Sequence, residues 1–217
     1  MPRILIASVL IALLAGCTVP DIPAEIVTGS GTLVSRSYDL DDFTQIAADV
    51  VAQVEVTHGD AYSVNVEVDD NLTSRLEVSV KGNTLYIDLT DAAYSKATLR
   101  AQVTMPRLTG VTLDGASTLR AELAGEDLAL NVDGASVATL TGTAGRVTIV
   151  ADGASKAQLG GLSAGDVEVD TDGASKIEIN AGGAVTGQAD GASVIVVTGS
   201  PTSVNVQTEG AARVITE

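Results

Sequence analysis

The second half of the chain alternates apolar and polar residues in short runs. The apolar positions are filled by Val, Ile, Leu and Ala, and the positions between them are mostly polar. A period of two residues is typical of β-strands that bury one face, and β-branched residues favour such strands. The pattern therefore predicts a succession of short strands and no helix of ordinary length.

A copy of the tetrapeptide Asp-Gly-Ala-Ser lies between the two strands of each predicted pair. The copies follow one another at intervals of 18 to 20 residues. Five copies are intact, and a sixth reads Glu-Gly-Ala-Ala. Gly-Ala between two strands indicates a corner, because glycine tolerates backbone angles that other residues avoid. So steady a period indicates one structural unit stacked on copies of itself. The copies begin at Asp114, Asp133, Asp152, Asp172, Asp190 and Glu209.

The repeat predicts an all-β fold, a right-handed parallel β-helix (β-solenoid) with about 19 residues per coil. An antiparallel stack of hairpins would give a similar pattern. We favour the coil because it would align equivalent residues in chemically uniform inward columns, and the right-handed sense is the default for parallel crossovers. Aromatic residues make up 2% of the chain and all precede the repeats, which suits a narrow interior filled by short aliphatic side chains.

The predicted β domain has two parts. Residues 107–217 form the regular repeat solenoid, and residues 31–106 form an irregular N-terminal β region in which alternation continues without the tetrapeptide. Turn-forming Gly, Asn and Asp residues separate the strands of this region. We interpret it as the first part of the same domain, with a separate N-terminal β domain as the alternative. Its aromatic side chains are expected to pack here and to close the open end of the solenoid.

The first 30 residues predict export rather than folded structure. Residues 1–16 carry a positive charge at Arg3, an apolar stretch shorter than the ~20 residues of an ordinary membrane span, and small residues directly before Cys17. This arrangement resembles a bacterial lipoprotein signal peptide, in which the cysteine is lipidated and becomes the first mature residue. An ordinary secretory signal with an incidental cysteine is the alternative. Residues 17–30 contain prolines and are expected to form a lipidated tether.

The predicted lipid anchor places the protein in the bacterial cell envelope, attached to a membrane through its N-terminus. The residue after the cysteine is Thr18. In enterobacterial lipoproteins an Asp at this position directs retention at the inner membrane. By analogy, the outer membrane is expected here. The formal net charge of −16 argues against nucleic acid and anionic lipid surfaces as partners, because both would be repelled.

Several segments resemble a known bacterial family. Phe43-Thr44-Gln45-Ile46 leads into an alternating region, Gly82-Asn83-Thr84-Leu85 follows, and serial Gly-Ala-Ser corners come after it. From about Gly31 to Glu217 the chain resembles the auto-transporter adhesin, head GIN domain family, a domain of unknown function. The resemblance implies a right-handed β-helix exported to the envelope, and it implies no catalytic residues.

The acidic residues that open the corners are predicted to lie in one row with a spacing of about 4.8 Å. Unit charges ~5 Å apart repel by roughly 0.8 kcal/mol in water, so the row needs screening or bridging. One hypothesis is a column that binds Ca²⁺, which prefers carboxylate oxygens. The alternative, which we favour, is that each carboxylate accepts a hydrogen bond from the backbone of its own corner. The column comprises Asp114, Asp133, Asp152, Asp172, Asp190 and Glu209.

The serines of the corners are predicted to point inward and to form a structural ladder of hydrogen bonds. A nucleophilic serine would need a base within reach, and the only histidine, His58, precedes the repeats. No catalytic residue is therefore assigned, and no cofactor or metal is expected apart from the calcium hypothesis. The ladder comprises Ser117, Ser136, Ser155, Ser175 and Ser193.

These features predict a non-catalytic envelope lipoprotein whose β-solenoid has a binding, adhesion or structural role, with a glycan or a protein as its surface ligand. The alternative is a carbohydrate-active β-helix enzyme, which would need two carboxyl groups at a set separation in unlike environments. Self-association is a further expectation, because Val196 and Ile215 interrupt the polar outer pattern of the last coils and a terminal coil exposes strand edges.

Overall fold

The structure is a computed structural model that describes residues 26–90 and 92–217. The predicted signal peptide, residues 1–16, and the predicted lipidation site, Cys17, lie outside the described residues. The described chain consists of strands and turns with one 3₁₀ turn at Asp70–Leu72. No helix in this part of the chain has the length and apolar character needed to cross a membrane.

The strands are short and follow one another through tight turns. In chain order they are β1 (Ile26–Thr28), β2 (Leu33–Tyr38), β3 (Gln45–Ala48), β4 (Ala52–His58), β5 (Ser63–Asp69), β6 (Leu76–Lys81), β7 (Thr84–Leu89), β8 (Ala93–Ser95), β9 (Leu99–Met105), β10 (Gly110–Leu113), β11 (Thr118–Ala124), β12 (Leu128–Val132), β13 (Val137–Ala144), β14 (Val147–Ala151), β15 (Lys156–Ala164), β16 (Val167–Thr171), β17 (Lys176–Ala181), β18 (Ala184–Ala189), β19 (Val194–Gly199), β20 (Ser203–Thr208) and β21 (Arg213–Thr216).

Two large sheets contain all of these strands except β1 and β8, which pair with each other. Sheet I has ten strands in the order β2-β5-β9-β4-β11-β13-β15-β17-β19-β21. Sheet II has nine strands in the order β20-β18-β16-β14-β12-β10-β3-β7-β6. From β10 onward, successive strands alternate between sheet II and sheet I, so that each coil contributes one strand to each sheet.

Every strand pair in the repeat region is parallel. The tetrapeptides lie between a strand of sheet II and the next strand of sheet I, one above another. The prediction of a parallel β-solenoid with about 19 residues per coil is confirmed. The antiparallel stack of hairpins is wrong for this region, because each strand pairs with the equivalent strand of the neighbouring coil.

The two sheets enclose one cluster of buried apolar side chains. Burial of each Val, Leu or Ile stabilises the fold by roughly 1.5–3 kcal/mol. In the last coil the side chain of Val204, which faces inward, is 36% exposed, and that of Ile215, which faces outward, is 43% exposed. Self-association through this coil stays a prediction. One inward column contains, in register, Leu119, Ala138, Ala157, Ile177, Ile195 and Val214.

The irregular N-terminal region shares both sheets and the core with the repeats. β3 pairs in parallel with β10, and β4 pairs in parallel with β11. Antiparallel pairs occur only beyond these strands among the described residues, between β2 and β5, β5 and β9, and β6 and β7. The buried ring of Phe43 packs against Tyr62 with ring centres 4.8 Å apart, whereas Tyr86 is 39% exposed.

Residues 26–30 belong to the segment predicted to be a tether, but the structure holds them against the β domain. Strand β1 pairs in parallel with β8. The buried carboxylate of Asp69 accepts hydrogen bonds from the backbone N–H groups of Gly31 and Thr98, each at 2.7 Å. The structured domain therefore begins before residue 31, the predicted boundary, because long-range hydrogen bonds that no local pattern reveals fix these residues.

A bulge accommodates the coil that is one residue longer than the average. In β15 the pairing with β13 is regular up to Gln158, and Gly161 then faces Thr141. The extra residue lies at Gly160, where a Cβ atom would meet no other atom within 4 Å. Toward β17 the register passes from Leu159 opposite Ile179 to Ser163 opposite Asn180. The variation in repeat length is thus absorbed within β15, and the corners stay aligned.

The corner glycines are required by backbone geometry. Their φ angles lie between 68° and 72°, in the left-handed region that favours glycine. A Cβ atom on Gly153 would lie 2.7 Å from the carbonyl oxygen of Gly134 in the preceding coil. That oxygen accepts a hydrogen bond from the N–H of Ala154 at 2.8 Å, so the contact belongs to the ladder that joins the coils.

We predict that Gly153→Ala lowers the free energy of unfolding by about 3 kcal/mol or more, because it combines a left-handed backbone with a steric conflict. Gly160→Ala is the matched control, since its φ is not in the left-handed region and the space around it is open. It should change the free energy of unfolding by no more than about 0.5 kcal/mol. Urea denaturation followed by circular dichroism measures both, and equal effects would contradict the role of the corner.

Candidate functional site

Three of the six acidic corner residues bond to their own turn. Oδ1 of Asp114, Asp133 and Asp172 accepts a hydrogen bond from the N–H of the following glycine at 2.5 Å. The backbone N–H of the aspartate bonds instead to the preceding coil, as from Asp133 to the carbonyl oxygen of Leu113 at 2.9 Å. The backbone hydrogen bonds between coils do not use the glycine N–H, and the carboxylate provides its acceptor. These are the hydrogen bonds expected of a structural role.

The calcium hypothesis concerns the whole acidic column from Asp114 to Glu209. The coils set the spacing of its members at about 4.8 Å, in single file. Ca²⁺ takes roughly six to eight oxygen ligands, whereas no group of three or more His, Cys, Asp or Glu side chains within residues 26–90 and 92–217 is placed to hold a metal ion. Cation binding by the column stays a prediction.

A further corner precedes the tetrapeptides and was missed by sequence reasoning. Asp49 accepts a hydrogen bond from the N–H of Val50, and the carbonyl oxygen of Val50 accepts one from the N–H of Ala116 at 2.8 Å. Val50 has a φ of 66°, close to the angle of the corner glycines. A β-branched residue is unusual in this conformation, so the sequence does not mark the corner. The available signal was an aspartate three residues before an alternating strand.

Asp152 lies in the middle of the acidic column. Its partial burial raises the pKa of its carboxyl group above the usual value for aspartate, and the neighbouring charges of Asp133, Asp172 and Asp170 raise it further. A raised pKa means that the folded protein binds this proton more tightly than the unfolded chain does. The ionised carboxylate therefore opposes folding at neutral pH.

The corner serines are buried, as the parity of the pattern predicts. Oγ of Ser117 accepts a hydrogen bond from the N–H of Ala52, and Oγ of Ser136 accepts one from the N–H of Ser117, both at 3.2 Å. Among the described residues no buried side-chain nitrogen or oxygen is without a partner. His58 is exposed at the end of β4, on the outside of the solenoid, whereas the serine hydroxyls face its interior. The ladder comprises Ser117, Ser136, Ser155, Ser175 and Ser193.

A groove with a volume of about 640 Å³ opens on the outer face of sheet I. It crosses β2, β5, β9, β4 and β11, where the antiparallel strands of the N-terminal region join the parallel strands of the coils. We call it the sheet I groove. Its polar lining consists of Ser35, Gln53, Glu55, Asn65, Glu67, Arg100, Gln102, Thr118 and Arg120.

The strand register arranges the polar side chains of the sheet I groove in two rows. In the first row Arg100 faces Glu67 on one neighbouring strand and Gln53 on the other. The two glutamates and two arginines of the groove cancel in formal charge, although the chain as a whole carries −16. Sequence reasoning missed the groove because its strands are not neighbours in chain order. The second row contains Asn65, Gln102, Glu55 and Arg120.

We predict that Asp152→Asn raises the urea midpoint of unfolding at neutral pH, because the amide removes a charge that burial and neighbouring carboxylates disfavour. The gain should shrink as the pH falls through the raised pKa, since the wild-type carboxyl then takes up its proton in the folded state. Glu122→Gln is the control, because it removes one charge from an exposed position of β11 outside the column. An equal gain from both substitutions, or a gain independent of pH, would refute the column effect.

Comparisons with known proteins agree with this architecture. The family described as "Putative auto-transporter adhesin, head GIN domain" matches residues 42–201. A solved structure of "a putative adhesin" from Bacteroides fragilis is 20% identical, covers 88% of this chain and 100% of its own, and has a TM-score of 0.69.

Two further solved structures come from Parabacteroides. "A putative adhesin" from Parabacteroides merdae is 16% identical, with coverage of 89% and 100% and a TM-score of 0.52. A "putative lipid binding protein" from Parabacteroides distasonis is 17% identical, with the same coverage and a TM-score of 0.53. At these identities the likeness shows the fold alone.

No curated protein matches the sequence. The family match nevertheless spans well over half of the 217 residues and includes both the sheet I groove's central strands and most of the corners. The chain therefore belongs to the family described as "Putative auto-transporter adhesin, head GIN domain".

Proposed function

We propose that this protein is a non-catalytic binding protein of the bacterial cell envelope that presents the sheet I groove to a neutral glycan. The family and several structural neighbours are named for adhesion, which suggests a surface or envelope protein. The observation that carries the binding role is the convergence of polar side chains from five strands in one concave groove. Its volume of about 640 Å³ is within the range of small-ligand sites.

The chemistry of the sheet I groove suits sugar hydroxyl groups. The amides of Gln53, Asn65 and Gln102 each offer donors and acceptors, and the guanidinium and carboxylate groups beside them add stronger hydrogen bonds. Because the formal charges in the groove cancel, a neutral ligand meets no net field there. An anionic ligand would gain little from two arginines that already face glutamates.

The alternative of a carbohydrate-active enzyme depends on Glu55 and Glu67, the two carboxylates of the groove. Strand β9 lies between their strands, and Glu67 faces Arg100 whereas Glu55 faces Gln102. Two strand spacings across the sheet and two residues along it separate their Cα atoms by ~12 Å. Glycosidases place the carboxyl groups themselves roughly 5–9.5 Å apart, so both side chains would have to turn toward each other. The geometry favours binding over hydrolysis.

The proposal includes a lipid anchor at Cys17 and a position at the outer membrane. The segment Leu14-Ala15-Gly16-Cys17 and the preceding apolar stretch support lipidation, and Thr18 supports outer-membrane sorting. Strand β1 begins at Ile26, so a short segment would separate the lipid from the folded domain. The solenoid would thus be held close to the membrane surface.

We expect the full chain to bind neutral oligosaccharides on a glycan array, and Arg100→Ala to weaken the best of these by about tenfold or more, because Arg100 is central to the groove. Arg213→Ala, an arginine on the outer face of β21 far from the groove, is the matched control. Titration calorimetry measures both. Unchanged affinity of Arg100→Ala would overturn the assignment of the groove, and glycan cleavage that Glu55→Gln abolishes would favour the enzyme.

We expect Cys17→Ala to move the protein from the membrane fraction of the producing bacterium to the soluble envelope fraction, because a lipid chain supplies the attachment. Thr18→Asp is the companion variant, which should stay lipidated but shift toward the inner membrane. Density-gradient fractionation with immunoblotting distinguishes these outcomes. Retention of Cys17→Ala in the outer-membrane fraction would show that the anchor is elsewhere.

A further inference from the structure

The outer face of sheet II carries a second groove, which the proposed function does not use. Two depressions of about 390 and 480 Å³ adjoin there and share Gln45 and Ala129 in their linings. Together they cross β7, β3, β10, β12 and β14, which are consecutive in sheet II. We define the sheet II groove by Gln45, Tyr86, Arg107, Ala129 and Arg146.

One end of the sheet II groove presents an aromatic ring to solvent. Tyr86 is 39% exposed and has Ala47 as its neighbour on β3, so that a small side chain lies beside the ring. The Lys81 ammonium lies over this ring, 5.3 Å from its centre, so a stacked ligand would use the other face or replace the ammonium. Beyond Ala47 the same row continues with Thr112 and Asn131, whose polar groups are exposed.

The other end of the groove presents two arginines. Arg107 and Arg146 are both exposed, and neither forms an ion pair with another residue in the described parts of the chain. Asp127 also lines this end of the groove, and its Oδ1 accepts a hydrogen bond from the backbone N–H of Arg146 at 2.7 Å. The Asp127 carboxylate therefore serves the turn, and the guanidinium groups remain open to a ligand.

The floor between the two ends is flat and low. Gly110 has no side chain, and Ala129 and Ala47 carry only a methyl group. Gln45, on the same face, accepts a hydrogen bond at Oε1 from the Thr84 hydroxyl at 3.0 Å, which leaves its amide NH₂ group free to donate. The Gln45 side chain itself lies over Gly110, where a Cβ atom would meet its Cγ at 2.8 Å. An extended ligand that crosses the strands would therefore lie against Gln45, with the small side chains of Ala47 and Ala129 on either side.

We propose that the sheet II groove binds an acidic oligosaccharide, with one sugar ring stacked on Tyr86 and an anionic group of another sugar paired with Arg107 and Arg146. A pyranose ring offers a face of C–H groups to an aromatic ring, and arginine pairs with carboxylate or sulfate through two parallel hydrogen bonds. From β7 to β14 the groove crosses four strand spacings, a span of ~19 Å. That span requires a short chain of sugars rather than a single ring.

The net charge of the whole chain does not determine whether the sheet II groove can bind an anionic ligand. Formal charges beyond about 8 Å are largely screened at physiological ionic strength, so the charges that matter are those lining the groove. Those are Arg107 and Arg146, with Lys81 beside Tyr86, against the carboxylate of Asp127. Among the residues that line the groove the balance is positive, in contrast to the neutral sheet I groove, although Asp166 and Glu168 lie one strand spacing from Arg146 and Thr148. The inference goes beyond the proposed function, since the two grooves lie on different sheets and bind different ligand classes.

The test is titration calorimetry of the full chain with tetragalacturonate, with neutral galactotetraose and with inorganic sulfate. Tetragalacturonate should bind best, and Tyr86→Ala and Arg146→Ala should each weaken it by about tenfold, the equivalent of one lost stacking or ionic contact. Tyr86→Phe keeps the ring and should keep the affinity within about twofold. Arg146→Ala should also remove most of the preference for the acidic over the neutral tetrasaccharide.

Controls separate this site from the sheet I groove and from a simple anion site. Arg213→Ala and Arg100→Ala should leave tetragalacturonate binding unchanged. If Arg100→Ala abolishes it and Tyr86→Ala does not, the ligand occupies sheet I. That result would overturn the inference and would leave the sheet I groove as a glycan site, without its preference for neutral ligands. Equal competition by inorganic sulfate, or no binding of tetragalacturonate at roughly millimolar concentration, would also overturn it. So would equal affinity for the acidic and the neutral tetrasaccharide measured in the Arg100→Ala variant, in which the sheet I groove is weakened.

Discussion

The ladder of backbone hydrogen bonds that passes through each corner is the constraint on which the rest of this structure depends. A chain can stack coil on coil only if it changes direction without interrupting these bonds. At the corners this requires a left-handed residue whose carbonyl oxygen accepts from the next coil, as Gly134 accepts from Ala154. The aspartate satisfies the remaining N–H and the serine fills the inside of the turn. The tetrapeptide is thus a structural unit in which each residue has a separate task.

Regular coils provide a stable frame, but they offer little that could distinguish one ligand from another. Each candidate site includes strands from outside the regular repeat. The sheet I groove forms where β9 lies between an antiparallel and a parallel neighbour, and the exposed ring of Tyr86 lies on β7, a strand outside the repeats. The N-terminal region therefore has two tasks, since it completes the core with Phe43 and Tyr62 and supplies the unlike side chains that binding needs.

Charge is distributed unevenly over this surface. The corners carry the acidic column of carboxylates. In the middle of this column, burial and the repulsion of neighbouring carboxylates raise the pKa of Asp152. The grooves, in contrast, contain arginines, which lie opposite glutamates in the strand register on sheet I and are without an ion-pair partner among the described residues on sheet II. Because salt screens distant charges, an acidic protein can keep surfaces of different local charge. The net charge then bears on solubility and long-range approach more than on the choice of ligand.

The sequence by itself determined the solenoid, its period, the inward columns and the buried serines, because each coil repeats the same local pattern and neighbouring coils must align it. It did not reveal the corner at Val50, where a valine takes the angle of a glycine. It also did not reveal the hydrogen bond from the N–H of Gly31 to the Asp69 carboxylate, or either groove. These depend on strands such as β9 and β4 that are neighbours in space but not along the chain. Only the tertiary structure decided which outward side chains share a surface, since local patterns fix which face a residue occupies but not which strand lies beside it.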